Sequence, residues 1–267
     1  MPEAPLIRCQ DLYKSFNSLE VLIGLDLEVV RGETLVIIGE SGCGKSVLLK
    51  HLIGLLRPDR GQVYFAGTDI TRLSEHELVP IRTRFGMLFQ GSALFDSLSV
   101  GENVAFALRE HRRLPEAEVR RIVAEKLGLV GLPDIEEKMP SELSGGMQKR
   151  VALARAIALD PEVILYDEPT TGLDPLHADD INDLIIHTQR TVQATTIIVT
   201  HDIVSACRVA DRIVMLFGGR IVAGGTPEEI LNSTVREVRE FIRGRTGDRL
   251  YRLAPDRKTT SSEGTSV

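Results

Sequence analysis

Several things are missing from this chain, and each absence narrows it. No apolar run approaches the roughly 20 residues that a membrane-spanning helix needs. Stretches such as Val47–Leu49 and Val163–Tyr166 are the size of core elements. The start, Met1-Pro2-Glu3-Ala4-Pro5, has no basic region leading into an apolar one, so no secretory signal is expected. Cysteine is scarce: Cys9, Cys43 and Cys207 are odd in number and scattered without metal spacing, which suits a reducing cytosol. A basic excess is also lacking, since 38 acidic residues outnumber 32 basic ones for a net charge of −6. That argues against a nucleic-acid partner, which would need a basic stripe to meet phosphates. What remains reads as a soluble cytosolic chain of 267 residues, 43% hydrophobic, able to bury a core as one unit or two packed lobes.

Strand patterns alternate with helical ones, as in an α/β fold with a largely parallel sheet. Leu25–Val30 alternates apolar and acidic residues, the pattern of a half-buried strand, and Thr34–Ile38 is continuous enough to be buried on both faces. Phe85–Phe89, Val163–Tyr166, Thr195–Thr200 and Arg212–Leu216 read as further strands. From about residue 100 to 158 the pattern turns helical, as expected of an insertion into the sheet domain. Beyond residue 244 the apolar period stops, and 245–267 reads as a polar tail, partly disordered.

Gly39-Glu40-Ser41-Gly42-Cys43-Gly44-Lys45-Ser46 fits the phosphate-binding loop G-x-x-x-x-G-K-[ST] between a buried strand and an apolar helix expected over Val47–Leu56. Glycines let backbone N–H groups close on phosphate oxygens. Lys45 places a cation on the β/γ-phosphates, Ser46 offers a hydroxyl to Mg²⁺, and the helix start at Val47 turns its positive end to the phosphates. Its surroundings make Cys43 an expected reactive thiol. Val163–Tyr166 then runs into Asp167 and Glu168. The first suits a Mg²⁺ contact, direct or through water, and the second a base that polarises the attacking water. Those two motifs define a P-loop nucleotide-hydrolysing protein and no more.

A third motif decides among such proteins. Leu143-Ser144-Gly145-Gly146-Met147-Gln148 opens a helix-like run, Lys149–Ala158, and offers a second set of phosphate-binding N–H groups. The economical use of two such devices is a dimer in which each Ser-Gly-Gly turn closes over the other subunit's nucleotide. Here the chain resembles the ABC ATPase family, whose signature is Leu-Ser-Gly-Gly-Gln, over about residues 6–244. The resemblance implies the P-loop ABC nucleotide-binding domain, with an N-terminal antiparallel β part and a helical subdomain, and ATP with Mg²⁺ as its ligands. It assigns base stacking to Phe16, with Tyr13 as the alternative, and Mg²⁺ and water sensing to Gln90. It also assigns the cross-subunit contact to Asp174 and the γ-phosphate switch to His201. Met147 departs from the signature glutamine, next to the retained Ser144 and Gly146.

Leu88–Leu98, Leu108–His111 and Met139–Met147 further resemble the ATPases of MCE-linked phospholipid transporters, the Mla type, although Ser92 stands where that group carries glycine. This implies a homodimer peripheral to the cytoplasmic side of an inner membrane, a permease dimer and an MCE-domain periplasmic protein. A small STAS-type accessory subunit stays open. Two rivals remain: a small-solute importer ATPase of the amino-acid type, and a soluble ABC protein acting on ribosomes or DNA.

Overall fold

Thr34–Ile38 has no polar position to turn toward solvent, and in the structure every one of its residues is buried. A computed structural model describes residues 4–246. Its strands are β1 (Ile7–Phe16), β2 (Leu19–Val29), β3 (Thr34–Ile38), β4 (Arg60–Phe65), β5 (Thr68–Asp69), β6 (Phe85–Leu88), β7 (Val163–Asp167), β8 (Thr195–Thr200), β9 (Arg212–Phe217) and β10 (Arg220–Gly225). The helices are α1 (Lys45–Leu52), α2 (Glu75–Arg82), α3 (Val100–His111), α4 (Glu116–Leu129), α5 (Gly145–Ala156), α6 (Pro175–Val192), α7 (Ile203–Val209), α8 (Pro227–Leu231) and α9 (Arg236–Thr246).

Two sheets result. One has four strands in the order β2-β1-β4-β5; the other has six, in the order β10-β9-β3-β8-β7-β6. In the larger sheet β9, β3, β8, β7 and β6 pair in parallel, and only β10 runs against its neighbour. The strands β3, β7 and β8 are buried along their whole length, as a sheet covered on both faces demands. Their alternation separates two cores. Val36 and Ile38 join the helical side with Val104, Val151 and Ile185, whereas Leu35 and Ile37 face the smaller sheet and α1, among Leu25, Leu48 and Val63. Register places Ile38 opposite Thr200 and Asp167 opposite Val199, so three strands end together. In α/β sheets, ligands bind at such carboxyl ends.

The insertion expected over 100–158 contains α3, α4 and α5. Capping boxes at Ser99/Glu102 and Ser74/Glu77 fix the starts of α3 and α2. The helix expected over Val47–Leu56 instead begins at Lys45 and stops at Leu52, because Gly54 turns left-handed at φ +65° and the chain leaves there. β1 is absent from the strands expected above, since a register shift between Cys9 and Leu12, with Asp11 at φ +48°, breaks its alternation. α9 continues to Thr246, past the boundary placed at 244. The rest of the expected tail, 247–267, lies outside the described residues.

Tyr166, fully buried one residue before Asp167, has no hydrogen-bond partner for its hydroxyl among the described residues. Burial accordingly pushes its ionisation up. An unpaired buried hydroxyl costs about 1–3 kcal/mol. Tyr166→Phe should therefore be as stable as the parent or more so in urea unfolding; a loss of 1 kcal/mol or more would show that the hydroxyl is bonded.

Candidate active site

The loop between β3 and α1 is shaped by what its glycines leave out. A Cβ on Gly39 would stand 2.5 Å from the Leu216 carbonyl oxygen and 2.7 Å from Cys43 Sγ, and Gly44 takes φ +106°, closed to other residues at low cost. Lys45, next in sequence and 5% exposed, folds back over this loop. Its Nζ donates to the carbonyls of Gly39 (2.9 Å) and Glu40 (3.0 Å) and lies 3.3 Å from Glu168 Oε1. Ser46 Oγ donates to Asp167 Oδ1 at 2.8 Å. Val47, half-buried, packs against the inner core, and Glu40, Ser41 and Gly42 stand exposed at the tip.

Asp167 and Glu168 separate as adjacent residues at a strand end should. Asp167 turns to α1 and Ser46. Burial raises its ionisation, and the charge of Glu168 raises it further, against the opposing pull of Ser46 and Lys45. A buried carboxylate held to a hydroxyl is a hard-oxygen donor set, suited to a hard cation such as Mg²⁺ that keeps its other positions for water and phosphate. Glu168 takes the left-handed conformation, φ +51°, an arrangement costing roughly 1–2 kcal/mol. Surrounding bonds hold it there. Its N–H donates to the Val199 carbonyl at 2.9 Å, and its Oε2 accepts from the Thr171 hydroxyl (3.1 Å) and the His201 N–H (3.4 Å). The ring of His201, just past β8, brings Nδ1 to 2.8 Å from the same oxygen. One carboxylate is thus oriented by a lysine, a threonine and a histidine, in reach of both loop and strand ends.

Other expected residues stand apart from this cluster. Phe16 ends β1 with 42% exposure and Lys14 Nζ lying 5.6 Å from its ring centre. The alternative, Tyr13, carries the Arg60 guanidinium 4.2 Å over its ring and packs on Gly24, which leaves Phe16 the more open stacking face. Gln90 is exposed, two residues past the end of β6, and its side chain has no hydrogen-bond partner among the described residues. Ser144 caps α5, accepting from the Met147 N–H at 3.3 Å, and lies exposed beside Gly145 and Gly146. Asp174 caps α6, and its Oδ2 lies 2.6 Å from His177 Nδ1, the contact that most lowers its ionisation. No hydrogen bond or ion pair joins Ser144 or Asp174 to the phosphate loop among the described residues.

The expectation of a reactive Cys43 does not hold. Its sulfur turns inward against Gly39 and the core, and burial raises its pKa more than Lys45 and the loop N–H groups lower it. Several supporting residues escaped the sequence reading. Asp59 brackets the strand that ends in Phe16, accepting from Lys14 Nζ (2.8 Å) and the Ser15 N–H (2.6 Å). Buried Lys149 donates to two carbonyls just after Glu168, and Arg155 donates to the carbonyls of Ser92 and Ala93. None belongs to a spacing motif; only the placement of charge on a helix that must pack inward hinted at Lys149 and Arg155, and nothing local hinted at Asp59.

A strand-end carboxylate pair facing a lysine-bearing glycine loop defines a P-loop ATPase. The model of the ABC transporter family matches residues 22–171, and the chain belongs to that family, as an ATP-hydrolysing transporter subunit. It is 48% identical over 92% of its length to "Probable ribonucleotide transport ATP-binding protein mkl" of Mycobacterium leprae, covering 71% of that protein. It is 46% identical to "Intermembrane phospholipid transport system ATP-binding protein MlaF" of Haemophilus influenzae, covering 90% of each chain. Among solved structures it resembles the ATP-binding cassette MJ0796 in a dimeric post-hydrolysis state bound to ADP and Pi. The TM-score is 0.77 at 31% identity, over 83% of this chain and 98% of that one.

Because a raised pKa leaves less thiolate at neutral pH, alkylation of Cys43 by maleimide, read by mass spectrometry, should keep accelerating beyond pH 9. A rate that levels off below pH 8 would contradict the buried thiol.

Proposed function

We propose that this ATPase powers phospholipid transport between bacterial membranes, as a homodimer on the cytoplasmic side of an inner membrane. A permease dimer and an MCE-domain periplasmic protein complete the assembly. The observation that carries this reading is the 46% identity with an ATPase named for intermembrane phospholipid transport, over 90% of each chain. In this reading Glu168 orients and polarises the attacking water, Lys45 and the loop N–H groups hold the phosphates, and His201 keeps the Glu168 carboxylate in place. Ser46, Asp167 and Gln90 would hold Mg²⁺, which supplies charge neutralisation across the β- and γ-phosphates when bound. Phe16 would carry the adenine, and Ser144, Gly145, Gly146 and Asp174 would act on the partner's nucleotide.

The segment after β6 supports the choice of partner. Phe89, Phe95 and Phe106 stay exposed at 38%, 43% and 46%, more apolar surface than a solvated loop needs. Phe95 and Phe106 meet with ring centres 4.9 Å apart. Beneath them fully buried Asn103 bonds both backbone groups of Phe95 and the carbonyls of Leu98 and Ser99. This is a preformed apolar seat for a helix end of a membrane subunit. Ser92 and Ala93 both take positive φ, +61° and +49°, which gives the glycine at position 92 of the phospholipid group its physical reason.

A strain lacking this gene should show phospholipid in its outer leaflet and detergent sensitivity. Phe95→Glu should reproduce both while hydrolysis by the isolated subunit stays within about twofold. The first relative's name puts a different cargo at issue. A deletion strain with an intact envelope that fails to take up ribonucleotides, or an amino acid, would replace phospholipid with that solute.

A further inference from the structure

Lys149 spends a charge where packing alone would not ask for one. It is 8% exposed in the second turn of α5, and its ammonium meets no carboxylate among the described residues. Instead Nζ donates to the carbonyl oxygens of Pro169 at 2.6 Å and Thr171 at 3.1 Å. Burial pushes its pKa below the ordinary lysine range. A buried cation without a counter-charge is expensive, and an apolar residue of similar size commonly does as well for stability. Stability is therefore a poor reason for this lysine.

Its position supplies another. The two carbonyls flank Thr170 in the segment that leaves Glu168, and the Thr171 hydroxyl returns to Glu168 Oε2 at 3.1 Å. The Thr171 N–H also donates to the Glu168 carbonyl at 3.2 Å. Glu168 itself sits in a left-handed conformation that persists only if its surroundings enforce it. At the other end, Lys149 lies five residues beyond Ser144 on one rigid helix, about 7.5 Å along its axis. No other described side chain of α5 bonds to residues 168–171.

We propose that Lys149 is a positioning residue for ATP hydrolysis, tying the helix capped by Ser144 to the 169–171 segment so that the placement of that helix sets the Glu168 carboxylate. This rests on Glu168 as the base. Displacing the helix would move the anchor of Thr171 and thereby misalign the carboxylate. The groups that hold phosphate, Lys45 and Ser46, hang on β3 and α1, and Lys45 keeps its bonds to the Gly39 and Glu40 carbonyls when the Glu168 carboxylate shifts. Losing Lys149 should therefore lower kcat and spare nucleotide affinity.

The full chain tests this by steady-state ATPase assay with binding of a fluorescent ATP analogue alongside. Lys149→Met should lower kcat at least tenfold with KM and analogue affinity within twofold, and Lys149→Arg, which keeps donors at that place, should recover most of the rate. Thr171→Val, which keeps its carbonyl, should also lower kcat, and the double variant should be no worse than the weaker single variant by more than about twofold. A Lys149→Met rate within twofold of the parent overturns the proposal. So does a loss of analogue binding together with rate, or single-variant losses that multiply. Glu168→Gln separates the two readings: if it still turns over, the base assignment fails; if it is dead while Lys149→Met is normal, only this inference fails.

Discussion

A single buried cation organises the nucleotide end of this molecule. Lys45 is closed off from solvent between two loop carbonyls and the carboxylate of Glu168, so the loop, the end of β3 and the end of β7 are fixed against one another through one ammonium group. In a site this dry an ion pair is worth keeping only if further bonds complete it. They do: Thr171 and His201 take up the other oxygen of Glu168, and Ser46 takes up Asp167. The polar end of the sheet is a connected network rather than a set of separate contacts, and networks of this kind fix geometry more firmly than their members do singly.

How much of this was written in the sequence depends on range. The phosphate loop, the Asp167–Glu168 pair and the buried strands were legible because each is local: a run of apolar residues, a spacing of glycines, two acids at a strand end. The larger sheet followed, since strands and helices alternating in that way have few arrangements. What was not legible depends on residues far apart in the chain. The bulge at Asp11 hid β1. Asp59, which pins Lys14 and Ser15, gave no motif, because its partners lie 44 and 45 residues away. Cys43 misled for a related reason. Lys45 and the loop N–H groups favour a thiolate, yet the cysteine side chain turns toward Gly39 and the core, and the resulting desolvation outweighs them.

The helical insertion carries the long-range argument. Along α5, Ser144 stands exposed at the start, Lys149 grips the segment after Glu168, and Arg155 near the end grips Ser92 and Ala93 in the loop that offers its phenylalanines outward. A helix of 12 residues thus links the exposed Ser144, the segment that supports Glu168, and the loop that carries Phe95. Rigid elements of this kind transmit displacement because packed interfaces shift between discrete arrangements rather than stretching. Within one chain, however, the parts do not meet. The phosphate loop, Asp167, Glu168 and His201 cluster at the strand ends, and Ser144, Gly145 and Gly146 form a separate turn that no hydrogen bond or ion pair joins to the phosphate loop among the described residues.

That division makes the arrangement of two chains the central claim: each nucleotide lies between the loop of one and the Ser144 turn of the other. The direct measurement places cysteines at exposed Ser41 and at Ser144 on separate tagged copies, mixes them, and adds a short bifunctional maleimide with and without Mg-ATP. A crosslink joining the two tags, strong with Mg-ATP and weak without it, is the predicted result. No ATP-dependent crosslink between the tags, with both cysteines shown to be reactive, would contradict the account.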